Sequence, residues 1–594
     1  MNIMQKLRIK LITNKNITLA YEVGKFLEKP TEIMYEKLCS SIDLGENTTN
    51  LADELKRCML LYESNRQQYN EEIILAQKVI WDEVISCADY VIKTTDIAKS
   101  FSAIIYRDNY KKSVEHVYSC CNIISELQAR LSKLEDMLGI DRYLDTICED
   151  DIKVILQLLD EAISCLEMAA RDYKTIFQEN WNLTNIKEII LHKLVGYNGD
   201  NQICSLMSPN QKKVLVFIVD GFGFCQYLWN KKINEGNRYL TFQENIFAWL
   251  MKEQVAKEFV LGSAYISDTA AGLGEILSGC STKDTGIVSS KLANNGGLLE
   301  TKRITYDTFN RYFNTSQNST TQIMNSLGYD VEVLYCSKYQ DNVSGFSSYI
   351  FNGANVKSIV PYERVFSVVK EQLEEREDLS LQFIYLTGID NTGHTMGAFS
   401  KFEKYEHLKF NNLFKNFLVE LAMDLPELFD GQTSILITAD HGMAESARLM
   451  INRHEMVSYL NQNGIDNPIM IEDNRALLIY GIKNEEQNTS KHLLHRFFES
   501  KNVAVDIITK QDPQFLQHFS TSGTNDKRIN IMPDIVVRMI SNGLFYSNTR
   551  INKHLMHYGG HGGFSISESF VPLIELVLSD DLLQKMKIRF LNRM

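Results

Sequence analysis

The sequence has little of what marks the special classes of protein. Its 11 cysteines are odd in number and form no C-x-x-C pair, far below the density of a disulfide scaffold, so reduced thiols and a cytoplasmic location are expected. Nowhere do eighteen apolar residues follow one another, and the strongest run, Val214 to Val219, is the length of a strand. The opening stretch, Met1 to Phe26, breaks each apolar run with Lys, Asn or Thr, so neither a secretory leader nor a membrane association is expected. Basic excess is missing as well. A formal charge of −13 argues against a surface coated for wrapping nucleic acid, while leaving room for a local basic groove. Before Pro209 there is one proline, Pro30, and glycine is sparse, so residues that break helices are concentrated in the last two thirds.

What is present is the composition of a large folded enzyme: 594 residues, 44% apolar and 23% charged, enough for two or more domains. Ile124, Leu127, Leu131, Leu134 and Leu138 alternate spacings of three and four, and Ile152, Leu156, Leu159, Ile163 and Leu166 repeat the pattern. They predict two helices packed as an antiparallel hairpin in a bundle core. Beyond Tyr197-Asn-Gly and Ser208-Pro-Asn, short apolar runs alternate with helical segments, the pattern of a mainly parallel sheet flanked by helices. The expected organisation is an all-α helical-bundle domain over 1–205, regulatory or partner-binding and capable of supporting a homodimer, then an α/β domain over 206–594. The long stretch around 289–375 is expected to include an inserted cap over the site.

Three strand-like runs in the α/β part end in aspartate: Lys213 to Val219 leads to Asp220, Leu381 to Ile389 leads to Asp390, and Ser434 to Ala439 leads to Asp440. In an open α/β sheet, ligands bind outside the carboxyl ends of the strands, so the three carboxylates are expected in one crevice. Histidines stand beside them. His394 follows Asp390 by four residues, His441 follows Asp440 directly, and His561 lies in a glycine-rich turn, His557-Tyr-Gly-Gly-His561-Gly-Gly. Six such side chains suffice for two divalent ions with open positions. Charge favours that count: three carboxylates alone give about −3 and repel a phosphate, whereas two dications bring the pocket to about +1. Hydroxyls that could attack phosphorus stand at Ser267 and Thr269, just before a helix-like stretch whose first N–H groups suit a phosphoryl oxygen. The residues themselves leave both hydroxyls open.

Taken in order, Asp220-Gly, Thr269 ahead of Ser278-Gly279, Asp390-x-x-Gly-His394, Asp440-His441-Gly and His561-Gly-Gly resemble the alkaline phosphatase superfamily of two-metal phosphohydrolases over about residues 212 to 580. The resemblance implies one ion on Asp390, His394 and His561, another on Asp220, Thr269, Asp440 and His441, and Thr269 as nucleophile. Zinc is the implied metal, with manganese the alternative. Threonine in that role is similar to the nucleotide pyrophosphatase/phosphodiesterases and to PglZ-type domains of bacterial signalling and phage defence. The stretch His561-Gly-Gly-Phe-Ser-Ile-Ser-Glu568-Ser-Phe-Val-Pro572 looks most like the PglZ type. The asparagine that the secreted diesterases carry after the nucleophile has no counterpart near Ala271-Gly272, which leaves substrate preference open.

The expected function is therefore phosphodiester hydrolysis on nucleotides or oligonucleotides, with a phosphomonoesterase or phosphomutase as the alternative within the superfamily. A non-catalytic nucleotide-sensing scaffold is the alternative outside it. Lys283 and Tyr339 are weaker candidates for substrate contact, and His557 for a substitute ligand. His116, His192, His492 and His495 fall on helical patterns and are expected in packing or surface roles.

Overall fold

The computed structural model describes residues 181–197, 202–232, 245–294, 297–300, 304–313, 318–336, 345–358, 362–376, 379–398, 400–445, 450–501, 503–519, 531–540, 543–546 and 559–591. The chain separates into two units, residues 1–169 with 447–449, and residues 170–446 with 450–594. All the described residues belong to the second, and the two helical runs expected between Ile124 and Leu166 lie outside them.

Eleven strands build the two principal sheets. In chain order they are β1 (Lys213–Val219), β2 (Ala256–Gly262), β3 (Asp330–Cys336), β4 (Asn355–Ser358), β5 (Leu379–Leu386), β6 (Thr433–Thr438), β7 (Ile469–Asp473), β8 (Ala476–Tyr480), β9 (Val505–Thr509), β10 (Ile535–Met539) and β11 (Phe570–Leu578). The central sheet has the order β2-β11-β6-β1-β5-β3-β4. Pairs β6/β1, β1/β5, β5/β3 and β3/β4 are parallel, while β11 runs against both β6 and β2. The expected α/β architecture with a mostly parallel sheet is thus present. Strand β1 is apolar and buried from Val214 to Val219 because both faces are covered, as central parallel strands require. On one face its Phe217 ring stacks on Phe366 (5.6 Å) and meets Phe414 edge-on (5.9 Å).

Four helices bear on the site and its supports: α1 (Asn185–Val195), α2 (Thr269–Ser278), α3 (Gly388–Met396) and α4 (Lys401–Asp424). Helix α1 buries Ile186, Ile189, Ile190 and Leu194, and sends the fully buried Lys193 to the Glu575 carboxylate of β11, with further bonds to Ser208 O and Ser434 Oγ (both 3.1 Å). The boundary expected near residue 205 therefore has on its N-terminal side a helix that the α/β body holds. Burial drags the Lys193 ammonium below the usual lysine range; it pushes Glu575 up, but the Lys193 charge outweighs this and holds Glu575 low.

Within the stretch expected to include a cap, residues 330–358 contribute β3 and β4, which extend the parallel side of the central sheet, while Lys291–Asn294 and Gly297–Glu300 pair as a separate hairpin. Between β6 and β11 the chain makes a second, antiparallel sheet of order β7-β8-β10-β9.

Lys193→Met leaves the buried Glu575 carboxylate with, among the described residues, only the more exposed Lys257 (3.2 Å) as a charged partner. The expected loss in urea unfolding is about 3 kcal/mol, the low end for a broken buried pair, with most of it recovered when Glu575 is replaced by Met as well.

Candidate active site

Because β1, β5 and β6 are parallel, Asp220, Asp390 and Asp440 all emerge at one edge of the sheet. Gly221 follows Asp220 at φ +74, and a Cβ there would lie 2.9 Å from Asp390 Cα. Only glycine allows that approach, which is fixed by Asp390 N donating to Asp220 O (3.1 Å). Helix α3 then places His394 one turn beyond Asp390 on the same face, Nε2 to Oδ1 3.3 Å. Asp268 caps α2 by accepting from Ala270 N (2.9 Å), making Thr269 the first helical residue. The helix can lie against the β6 edge because Gly272 has no side chain; a Cβ there would be 2.5 Å from Asp440 O.

The sequence candidates come together in two overlapping clusters. Ligand atoms of Asp390, His441 and His561 all lie within 4.8 Å of one another, and so do those of Asp220, Asp440 and His441. His441 Nε2 is 3.4 Å from Asp220 Oδ1, 3.6 Å from Asp440 Oδ2 and 3.1 Å from Thr269 Oγ1. His561 Nε2 is 3.8 Å from Asp390 Oδ1, and its ring stacks on that of His441 at 3.9 Å. All six side chains are buried or nearly so.

The outer nitrogen of each imidazole meets a backbone carbonyl: His394 Nδ1 faces Gly559 O (3.1 Å), His441 Nδ1 faces Gly442 O (2.9 Å) and His561 Nδ1 faces Ser267 O (3.0 Å). A carbonyl can only accept, so each Nδ1 carries a proton and each ring turns its Nε2 toward a carboxylate. With the rings neutral, Nε2 and carboxylate lone pairs would face one another and repel, and a divalent cation between them converts the repulsion into coordination. The donor set therefore fits metal ions, with Asp220, Asp440 and His441 in one cluster, Asp390, His441 and His561 in the other, and His394 beside Asp390.

Without a metal the same repulsion falls on protons. Burial pushes the Asp390 carboxyl up, but His394 above all, with His561 and His441, outweighs it and holds Asp390 below the usual carboxylate range. Burial pulls His394 down, but Asp390 overcomes this and raises it. Tyr385, on β5, donates to Asp220 Oδ2; burial and then the Asp220 charge raise its hydroxyl well above the ordinary phenol range, so it stays a donor. Sequence reasoning missed Tyr385, although a tyrosine among the apolar residues of a buried strand is a polar group that must find a partner.

The other candidates separate. Ser267 turns its hydroxyl to Ser263 Oγ (2.8 Å), so Thr269 is the hydroxyl that meets His441. Lys283 is exposed on a one-turn helix. His192 is buried against the end of α1, its Nδ1 3.0 Å from Tyr197 O, and His492 and His495 lie on the helix Gln487–Ser500. Tyr339, His557 and His116 lie outside the described residues.

A profile of the family described as type I phosphodiesterase / nucleotide pyrophosphatase matches residues 214–564, more than half of the chain and every residue from Asp220 to His561. The chain belongs to that family. Type I phosphodiesterases and nucleotide pyrophosphatases are phosphate-ester hydrolases of the alkaline phosphatase superfamily that work with two metal ions. Among curated proteins, GPI ethanolamine phosphate transferase 1 of Aspergillus oryzae is 37% identical over 71 residues, a match spanning 12% of this chain and 7% of that protein. Among solved structures, murine ectonucleotide pyrophosphatase/phosphodiesterase 5 is 17% identical, with a TM-score of 0.43 over 61% of this chain and 87% of that one. The human counterpart is 16% identical, with a TM-score of 0.42 over 61% and 87%.

The Asp390 and His394 shifts set the pH response of the metal-free protein. The raised His394 contributes stability that is complete below the ordinary histidine value, about 6.5, and is lost as pH rises through its folded value. The depressed Asp390 contributes stability that is complete above about 3.9 and is lost as pH falls. Thermal melts after chelation are expected to show this contribution between about pH 4 and 6.5 and its decline above, and His394→Gln is expected to flatten the alkaline side.

Proposed function

We propose that this type I phosphodiesterase is a two-metal enzyme that cleaves phosphodiesters of nucleotides or oligonucleotides with Thr269 as nucleophile. The observation that carries the reading is the Thr269 hydroxyl, 3.1 Å from an imidazole nitrogen that both carboxylate clusters share. Divalent ions bound there would ease loss of the hydroxyl proton and draw charge from the phosphoryl oxygens. Asp220, Asp440, His441 and Thr269 would hold one, and Asp390, His394 and His561 the other. Zinc is the expected metal and manganese the alternative.

Thr269 Oγ1 forms the bond to phosphorus while the ester oxygen departs as an alcohol, leaving a phosphothreonine ester that water then hydrolyses. As the first residue of α2, Thr269 sits where helix N–H groups and the helix dipole favour a phosphoryl group. Asp268 is bound to Ala270 N and to Ser290 Oγ (2.9 Å each), so it braces the nucleophile's helix.

The choice among phosphate esters is open to a phosphomonoesterase or phosphomutase outcome within the same chemistry. A PglZ-type role in bacterial signalling or phage defence rests on the stretch from His561 to Pro572 and on the long helical pattern before the α/β body, which suits a protein partner or a homodimer. A cytoplasmic setting agrees with the free thiols of Cys204, Cys225 and Cys280. Among the described residues no helix is long and apolar enough to cross a membrane.

With zinc or manganese added, the purified chain is expected to hydrolyse bis-nitrophenyl phosphate and to lose that activity on chelation. Thr269→Ala is expected to lower kcat at least about a thousandfold, with metal content by plasma mass spectrometry staying near about two ions per chain. Undiminished turnover in that variant would move the nucleophile to Ser267 or to water.

A further inference from the structure

Glu568 is a fully buried carboxylate seven residues past His561, and neither proposed ion nor substrate calls on it. Its side chain accepts from Gly563 N (2.8 Å), Ser565 N (2.9 Å) and Ser565 Oγ (2.8 Å), which closes the turn that follows His561. Its backbone oxygen accepts from Gly442 N (3.1 Å), the residue after His441. One residue thus holds the turns behind both histidines whose rings stack at the centre of the site.

The counter-charge comes from the second sheet. Arg475, fully buried beside β8, donates from Nε to both Glu568 oxygens (3.1 and 3.2 Å) and from Nη2 to Oε1 (3.1 Å). Its remaining donors reach Gly543 O (3.1 Å) and Met539 O (3.4 Å), and its backbone N donates to His561 O (3.1 Å). Packing leaves the turn little freedom: a Cβ on Gly563 would lie 2.5 Å from Met539 O, and one on Gly442 would lie 2.0 Å from Ser567 O.

We propose that Glu568, held by Arg475, is a positioning residue that fixes His441 and His561 in one geometry, so that the second sheet sets the metal-binding geometry of the first. The inference rests on the two-metal reading above for its effect on catalysis, while the tether itself is a property of the chain alone. Buried ion pairs of this kind are often no better for stability than apolar side chains of the same volume, so stability alone gives the pair no reason to be there. Supporting groups behind metal ligands, in contrast, are commonly worth about 10–100-fold in affinity or activity.

The test uses the full chain as wild type, as Glu568→Gln and as the milder Ser565→Ala, loaded with zinc. Glu568→Gln is expected to speed zinc release to a chelator at least about tenfold and to lower kcat by a similar factor, with KM changed less than about threefold. In the metal-free protein the amides of Gly442 and Arg475 are expected to exchange hydrogen faster while those of β1 do not. Ser565→Ala, which removes from a half-buried position the hydroxyl's bonds to Glu568 Oε1 (2.8 Å) and Ser567 Oγ (3.0 Å), is expected to move zinc release and exchange in the same direction by about threefold.

A Glu568→Gln protein that melts lower yet keeps wild-type zinc release, kcat and amide exchange would reduce the pair to a structural role and overturn the proposal. Should Glu568→Gln not fold, Ser565→Ala decides: unchanged zinc release and unchanged exchange overturn the proposal, and faster values uphold it. A wild-type chain that takes up no divalent ion would defeat the two-metal reading, and amide exchange in the metal-free variants would still accept or reject the tether.

Discussion

Three buried carboxylates brought to one edge of a parallel sheet are the constraint on which the rest of the structure depends. Asp220, Asp390 and Asp440 have little water to screen them, and an ionised group so placed must be paired or bound to a metal. The chain supplies imidazoles whose outer nitrogens are already committed to carbonyls of Gly559, Gly442 and Ser267. With those nitrogens occupied, the Nε2 atoms and carboxylate oxygens are left as a donor set that suits cations from outside.

Holding such a centre together requires that the backbone tolerate close approach, and the glycines show where. Gly221 lets the turn after β1 touch Asp390, Gly272 lets α2 lie on Asp440, and Gly559 lets the turn before His561 reach Gly393 O, a contact that a Cβ would make at 2.4 Å. These glycines do not lie in flexible hinges. They are packed against backbone atoms, so each fixes a distance between two ligand-bearing segments that are far apart in sequence. The polar groups behind them, Tyr385 on Asp220 and Glu568 on the turns after both histidines, then fix orientation.

Most of this centre was legible because its signals are local. An apolar run of strand length ending in Asp requires no knowledge of the rest of the chain, and repetition of that pattern at Asp220, Asp390 and Asp440 places all three at the same edge once the strands are parallel. His394 follows from helical spacing, and His561 from a turn in which glycine is the only neighbour. What was not legible depends on partners distant in sequence. Strand β3 carries the buried Glu332, whose charge is answered by Arg376 and Lys357, and with those partners unseen Asp330-Val-Glu-Val reads as part of the inserted stretch rather than as a strand of the central sheet. The second sheet escaped because its strands are short and alternate with the helices Gln487–Ser500 and Pro513–Phe519, so the stretch reads as more of the same α/β pattern.

The two hydroxyls show how far spacing can be taken. Ser267 and Thr269 are two residues apart at the mouth of α2, and their types and positions alone do not rank them. In the folded chain they are distinguished by the helix cap: Asp268 fixes Thr269 as the first helical residue, which turns its side chain toward His441, while Ser267, on the other side of the cap, points its hydroxyl at Ser263. The carbonyl of Ser267 is nonetheless part of the site, since it holds the His561 ring through Nδ1. One strand-to-helix turn thus both presents the hydroxyl proposed to attack phosphorus and orients the His561 ring of the opposite cluster.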